Sequence, residues 1–504
     1  MEYEQEVKGS SLVASNKQLV IIALNAKVSS EKIAFDVHSA QTLKKLYSIP
    51  CNKNFASRAE RDFIAFQPIL KGDSVFHFAA YFNKKEACIQ AIAMAYNGSG
   101  QVIIPETPVY RLPGDRETAE IKNVKTECGQ ITLRAVLMAG TVRIKYYAKI
   151  SNDLKVINTF SSVGETAGIN SYGILDELAY TPSGEMLAAY YPEKKSSTFQ
   201  GELIYIGTEA GKRKVTKRFN LFEERIEAYN FSFYTGSQGN YMAGYYRSNL
   251  NQPIPGGIFL YRFDAAMQNP ELVYTYAFTT DDMKQLRSFG DEIFAGSLVS
   301  IHPDTATGSV YLELHERMVQ FYQTPLSKTI DPLTNYPTIE SLRVHYGIAT
   351  GQELCFREGN IVLLSASLAG DQKGATNFKY IFERAEVLKG TPEIETFTAG
   401  TVHKGRFFLS VTDKRANLRN LPGEEGKAKV RDKSSKMFPH VFSFRPDGYT
   451  DMKNAALPDE AENFQSVAMS ADTGPGIFMM SDFDNRLTVM GGAAQKARYY
   501  FYLP

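Results

Sequence analysis

Gly184-Glu185-Met186-Leu187-Ala188-Ala189-Tyr190-Tyr191, followed by Gly201-Glu202-Leu203-Ile204-Tyr205-Ile206, recurs 55 residues later. The second copy reads Gly239-Asn240-Tyr241-Met242-Ala243-Gly244-Tyr245-Tyr246, then Gly256-Gly257-Ile258-Phe259-Leu260-Tyr261. Each copy opens on a glycine, runs through apolar and aromatic residues that suit a pleated surface, and returns in a second such run. That is a β-hairpin used more than once. Self-similarity at this period marks propellers, solenoids and arrays, whose units bury their faces against one another.

Weaker copies extend in both directions. Residues 73–82 carry Phe76, Phe78 and Ala80 at alternate positions and return through 89–95. Similar pairs are 130–138 with 142–150, 292–300 with 310–314, 360–364 with 378–382, 406–411 with 441–444, and 476–480 with 486–490. Most begin at a glycine-bearing turn, at Gly72, Gly129, Gly184, Gly239, Gly359 or Gly405. The alanine-rich stretch 87–95 reads as a strand because its neighbours do, and 279–286 as a short helix or turn behind an N-cap. The expectation is an all-β chain: one β-propeller domain over residues 1–504 with seven or eight four-stranded blades. The strand at 497–503 closes the ring by joining a blade begun near the other end, which protects strand edges that would otherwise aggregate.

Composition bounds the function. Hydrophobic residues make up 43% and charged residues 22%, which supports a packed core and argues against disorder. Lys and Arg total 56 against 55 Asp and Glu, so broad electrostatic capture of nucleic acid is not expected. The 29 Tyr and 32 Phe suit strands, and the absence of Trp removes the best stacking ring. Cys51, Cys88, Cys128 and Cys355 form no CxxC pair and read as buried thiols, the alternative being one bridge that spacing does not identify. No run approaches the ~20 apolar residues that span a bilayer. The residues before Leu19, which include Glu2 and Glu4, do not resemble a secretory signal. Either the protein stays in the cytosol or the chain is a mature form.

Chemistry-bearing patterns are sparse. Residues 412–437 form the longest irregular stretch, with eight basic and four acidic side chains. Long loops on a rigid scaffold often carry function, so Lys427, Lys429, Arg431, Lys433 and Lys436 are the candidate contact surface for an acidic partner. His38, His77, His302, His315, His345, His403 and His440 show no metal-ligand spacing, and no metal or other cofactor is expected. No nucleophile elbow or phosphate loop is present, and no catalytic residue is assigned. Ser470-Ala471-Asp472-Thr473-Gly474 matches the first half of the Asp-box hairpin turn of sialidase-type propellers, but Pro475-Gly476-Ile477 replaces its second half.

Three segments carry a wider resemblance: Gly201-Glu202-Leu203-Ile204-Tyr205, the stretch from Gly256-Gly257-Ile258 through Arg262-Phe263-Asp264, and Tyr311-Leu312-Glu313-Leu314-His315-Glu316-Arg317. Over residues 172–370 the chain resembles uncharacterised, propeller-like envelope proteins of Bacteroidota-type bacteria. The resemblance implies an exported location and no assigned catalytic residue. The expected function is a non-enzymatic binding or scaffold subunit of a bacterial envelope or surface assembly, with protein partners and no membrane span of its own. It would be periplasmic or extracellular, the alternative being cytoplasmic. The competing function is a carbohydrate-active enzyme, which needs two converging carboxylates.

Overall fold

The structure is a computed structural model. It describes residues 2–6, 10–16, 18–24, 34–42, 44–50, 62–115, 117–127, 130–139, 142–161, 166–167, 174–191, 202–209, 212–221, 227–236, 238–247, 256–280, 296–304, 306–321, 354–368, 377–382, 386–389, 398–403, 405–414, 437–444, 450–453, 464–468, 478–484 and 496–502.

These residues form eight sheets, most of them up-and-down runs of consecutive antiparallel strands. The first holds Ser10–Ser15, Leu19–Leu24, Ala34–Ser39 and Lys45–Pro50. The second holds Asp62–Lys71, Ser74–Asn83, Cys88–Tyr96 and Val102–Pro113. The third holds Ala119–Glu127, Gln130–Ala139, Val142–Ile150 and Val156–Ser161. In the fourth, Ile174–Tyr180, Met186–Tyr191, Glu202–Glu209 and Lys212–Asn220 are joined by Thr166–Ala167 at the outer edge. The fifth holds Glu227–Gly236, Gly239–Arg247, Gly257–Phe263 and Pro270–Ala277. The sixth holds Gly296–Asp304, Ser309–Phe321, Leu354–Ser367 and Asn377–Phe382, with Glu386–Lys389 also paired to its third strand. The seventh holds Thr398–His403, Arg406–Lys414, Met437–Phe444 and Thr450–Lys453. The eighth holds Phe464–Ala468, Phe478–Asp484, Lys496–Tyr502 and, as its outer strand, Glu2–Glu6.

The chain divides into two compact units, 1–166 with 182–184 and 469–504, and 167–181 with 185–468. In the first unit, Asp62–Lys71 adjoins the first strands of the sheets on either side, Ser10–Ser15 and Ala119–Glu127. In the second, the first strands Ile174–Tyr180, Glu227–Gly236, Gly296–Asp304 and Thr398–His403 adjoin one another in the same succession. First strands side by side with fourth strands outward is the packing of propeller blades. No helix among the described residues is long and apolar enough to cross a membrane.

Packing between sheets explains the residue pattern. Phe76, Phe78 and Ala80 alternate as expected, and pack with Ile131, Leu133 and Ala135 of the third sheet. The intervening Val75 and Ala79 are equally buried, against Ile21, Val37 and Ile49 of the first sheet. The sixth sheet is covered likewise, with Leu312 and Leu364 against the fifth sheet, and Tyr311 and Leu363 against Phe407 and Phe444 of the seventh. Sheets covered on both faces read as continuous apolar runs rather than clean alternation. Residues 88–96 form the strand expected there.

One five-residue turn recurs at Asn97, Ser151, Thr181 and Asp264. The fifth residue's N–H donates to the first residue's side-chain oxygen: Gln101 to Asn97 at 2.9 Å, Lys155 to Ser151 at 3.1 Å, Glu185 to Thr181 at 3.0 Å and Gln268 to Asp264 at 2.8 Å. The fourth residue is left-handed in each, at Gly100, Leu154, Gly184 and Met267. Glycine enters that region freely, whereas a side chain costs roughly 1–2 kcal/mol there. Leu154 and Met267 are both buried, and burying such a side chain contributes about 1.5–3 kcal/mol, enough to offset the strain.

Several sequence readings are refined. The matched glycines Gly184 and Gly239 both have positive φ, as do Gly72 and Gly405. Gly359 lies within the Leu354–Ser367 strand, at a register shift where His315 pairs with Ile361 and Arg317 with Glu358. The corresponding turn glycine is Gly308. Phe478–Asp484 pairs with Lys496–Tyr502, and the expected partner run 486–490 lies outside the described residues. The last strand does not join the first sheet. Glu2–Glu6 instead pairs with Lys496–Tyr502, so the early strand completes the last sheet. Gly129, most of the 279–286 segment and the 470–474 motif lie outside the described residues.

Two predictions follow from this packing. A Cβ on Gly257 would collide with the Tyr276 carbonyl oxygen, a backbone atom of the neighbouring strand. Gly257→Ala should therefore destabilise the protein by about 1–3 kcal/mol, read as a lower urea midpoint, and an unchanged midpoint would contradict this contact. His77 is fully buried beside the Phe35 ring, 5.4 Å between centroids, and burial pushes its pKa from 6.5 down to about 3. The unfolded chain takes up this proton near pH 6.5 while the folded one refuses it. The contribution of neutral His77 is thus whole above pH 6.5 and falls by about 1 kcal/mol per pH unit on acidification toward pH 3. Urea melts of wild type and His77→Phe from pH 7 to 4 should differ by this slope.

Candidate functional site

The basic residues expected to form a contact surface, Lys427, Lys429, Arg431, Lys433 and Lys436, lie outside the described residues. Their bounding strands end at Lys414 and resume at Met437, so the insertion is shorter than 412–437 at both ends. These strands pair along their full length, from Phe407 opposite Phe444 to Lys414 opposite Met437. The insertion is therefore a long excursion between second and third strands of the seventh sheet.

Three histidines are buried as expected of core residues: His38, His77 and His302. His302 belongs to a polar cluster. Ser300 donates its hydroxyl to Glu313 Oε2 at 2.9 Å, and His302 Nε2 lies 2.6 Å from Ser300 Oγ and 3.2 Å from the same Oε2. With the serine proton directed at the carboxylate, a proton on Nε2 serves both oxygens. Phe407 packs 4.8 Å from the imidazole centroid. Asp36, also buried, accepts the Ser48 hydroxyl at 2.7 Å and pairs with Lys45 at 2.8 Å. Cys88 is buried and free, and no group able to hold a metal ion occurs among the described residues.

Among the described residues, a constellation of polar side chains joins the fourth and fifth sheets within the second unit. Glu185, last residue of the Thr181 turn, accepts the Thr216 hydroxyl at 2.6 Å on Oε1 and Gln268 Nε2 at 2.7 Å on Oε2. Tyr205 donates its buried hydroxyl to the Met267 carbonyl at 2.7 Å. Lys217 donates to the Gln268 carbonyl and, at 3.3 Å, to Asn269 Oδ1, with its ammonium 5.9 Å from the Tyr205 ring centroid. Asp264 takes the Gln268 amide at 2.8 Å and Asn269 Nδ2 at 2.6 Å, and the Gln268 amide foremost holds its carboxyl below the usual range.

Burial first, then the charges of Asp264 and Glu185, push the Tyr205 phenol above its ordinary pKa. A phenol so held stays protonated and serves as a fixed donor. It holds a turn rather than moving a proton. Glu185 and Asp264 both occur in segments singled out in the sequence, but the 83 residues between Glu185 and Gln268 left no periodic signal of their contact.

No protein-family model and no curated protein sequence matches the chain. Solved structures do. The β-propeller domain of the Trilobed protease from Pyrococcus furiosus is 8% identical, with a TM-score of 0.36, covering 90% of this chain and 100% of that one. An ulvan lyase of a polysaccharide lyase family is 9% identical, with a TM-score of 0.34, covering 86% and 90%. A Trypanosoma rangeli sialidase in complex with sialic acid is 9% identical, with a TM-score of 0.24, covering 99% and 88%.

The Glu185 clamp should matter to stability. Glu185→Ala removes a charged acceptor of two bonds and should cost about 2 kcal/mol, whereas Tyr205→Phe, losing one neutral bond, should cost about 1 kcal/mol. Urea denaturation of both variants checks the order. A more damaging Tyr205→Phe would show that the turn hangs on the phenol instead.

Proposed function

We propose that the chain is a non-enzymatic binding or scaffold subunit of a bacterial cell-envelope or surface assembly. In this reading its eight sheets are the blades of one propeller, closed where Glu2–Glu6 pairs with Lys496–Tyr502. The observation that carries it is the apolar character of outward strands. Leu46, Val102, Ile103, Val156 and Ile157 lie on the fourth strands of three successive sheets, and Val102, Ile103 and Ile157 keep about half their surface in solvent (51%, 51% and 52%). Exposed apolar side chains on outward strands offer contacts to a protein partner. The buried carboxylates support the same reading, because Asp36 and Glu313 are committed to neighbours in their own sheets.

The basic insertion carrying Lys427, Lys429, Arg431, Lys433 and Lys436 is a second contact surface in this proposal, for an acidic partner. An exported location follows from the resemblance to envelope proteins. The competing reading, a carbohydrate-active enzyme, draws on Glu185 and Asp264, two carboxylates near enough to Tyr205 to raise its pKa.

Affinity purification of the tagged protein from its native cells, with mass spectrometry, tests the proposal. Wild type should retain a stoichiometric envelope protein, and Val102→Asp with Ile103→Asp should reduce its recovery at least ten-fold while leaving the thermal transition in place. A monomer without partner, combined with hydrolysis or elimination on a glycan panel that Glu185→Gln abolishes, would replace the scaffold reading with the enzymatic one.

A further inference from the structure

Asn97-Gly98-Ser99-Gly100-Gln101 joins the third and fourth strands of the second sheet, Cys88–Tyr96 and Val102–Pro113. Its first two residues carry a chemistry that the matching turns lack. Ser151, Thr181 and Asp264 lead those turns and are followed by Asn152, Pro182 and Ala265. Asparagine before glycine is the pairing most prone to deamidation, because no side chain shields the glycine nitrogen from the asparagine Cγ. The Gly98 nitrogen, having given its proton to solvent base, bonds to Asn97 Cγ. The Cγ–Nδ2 bond breaks, ammonia leaves and a cyclic imide remains. Water then opens the ring at one carbonyl or the other. The products are aspartate and isoaspartate, the latter with its main chain rerouted through the former side chain.

The closed turn withholds the motion this reaction needs. Asn97 Oδ1 accepts the Gln101 N–H at 2.9 Å, the Ser99 N–H at 3.1 Å and the Ser99 hydroxyl at 2.8 Å. Asn97 Nδ2 donates to Gln101 Oε1 at 3.2 Å, so the whole amide is turned toward residues 99 and 101. The main chain is held as well. Asn97 donates its N–H to the Gln101 carbonyl at 3.0 Å, and its own carbonyl accepts the Gly100 N–H at 2.9 Å. The same carbonyl accepts the Tyr47 hydroxyl at 3.1 Å, from the fourth strand of the first sheet. A Cβ on Gly98 would lie 3.3 Å from the Asp73 carbonyl oxygen, so the glycine is seated against an adjoining turn. Swinging Asn97 Cγ onto the Gly98 nitrogen rotates this main chain and breaks several of these bonds together.

We propose that Asn97 is a gated site of spontaneous deamidation, closed while the first and second sheets are in contact and reactive when that contact opens. The Tyr47 hydroxyl ties the turn to the first sheet, so local opening there releases the Asn97 carbonyl and frees the rotation. The two products differ in consequence. Aspartate keeps the turn, as Asp264 shows by accepting the Gln268 N–H at 2.8 Å in the matching place. Isoaspartate lengthens the main chain by one atom and moves the carbonyl off its two donors. That branch leaves the turn open, so the modification records a past opening.

Peptide mapping by mass spectrometry during incubation in mildly alkaline buffer tests this on the full chain. A synthetic peptide with the sequence of residues 93–103 sets the ungated rate. Asn97 in the folded chain should convert more slowly than in the peptide by roughly ten-fold or more. Tyr47→Phe, which deletes one donor and leaves the Asn-Gly pair intact, should speed conversion in the folded chain about five-fold. Equal rates in chain and peptide, or in wild type and folded Tyr47→Phe, would overturn the proposal. Should Tyr47→Phe not fold, wild type in urea concentrations below its unfolding transition decides. Conversion that accelerates ahead of the transition is expected, and conversion that stays flat until global unfolding overturns the local gate. Asn97→Asp should keep the wild-type urea midpoint, and a clear drop would overturn the separation of the two products.

Discussion

The structure depends on burying both faces of the middle strands in successive sheets. A sheet with one wet face can be stable alone, but Ser74–Asn83 has Phe76, Phe78 and Ala80 against one neighbour and Val75 and Ala79 against the other. Removing either neighbour exposes an apolar face that nothing in the sheet itself can cover. Stability therefore comes from stacking, as in other repeat architectures, and each sheet supports the next. The same constraint sets the tolerance for polar groups inside. Polar residues survive between sheets when bonded, as Gln67 shows by donating to the Val124 carbonyl at 2.7 Å and accepting the Val124 amide at 2.8 Å.

Stacking also explains why the turns are as conserved in geometry as they are varied in sequence. The turns at Asn97 and Asp264 meet the preceding sheet at its hydroxyls. Tyr47 donates to the Asn97 carbonyl at 3.1 Å and Tyr205 to the Met267 carbonyl. The Ser151 turn is met by Lys71 at Asn152. The contact wants a fixed backbone path, not a fixed residue. Gly100 satisfies it by lacking a side chain, since a Cβ there would lie 2.7 Å from the Tyr47 ring. Leu154 and Met267 satisfy it by inserting a side chain into the core. Two solutions to one geometry keep the repeat weak in sequence and strong in space.

That difference decides how much could be read from the chain. Gly184 and Gly239 announced their hairpins because a left-handed position favours glycine, and both strands of each copy lie where the residues placed them. The turns at Leu154 and Met267 carry no glycine, so no such signal marked them. Gly359 misled for the opposite reason. A glycine at a bulge and a glycine in a turn look alike without the strand's partner, and only the pairing of His315 with Ile361 separates them. The Glu185 clamp was illegible because its members come from two sheets and no repeat places them together. Charge in the long insertion was easy to count, yet counting charges does not place them on a surface.

The outer strands show what remains once stacking is satisfied. Inner strands have their residue types dictated by two neighbours, whereas most fourth strands meet one neighbouring strand and solvent. Its residues are free to serve recognition or to guard against it. Val102–Pro113 does both, exposing Val102 and Ile103 while Pro105 and Pro108 remove donors that a stray strand would need. Glu2–Glu6 takes another course, with acidic residues at alternate positions opposite a basic pair. A proline denies an added strand one hydrogen-bond donor, whereas like charges directly opposite disfavour a strand only in that register. Both devices act at outer strands, where the stacked core places no demand on sequence.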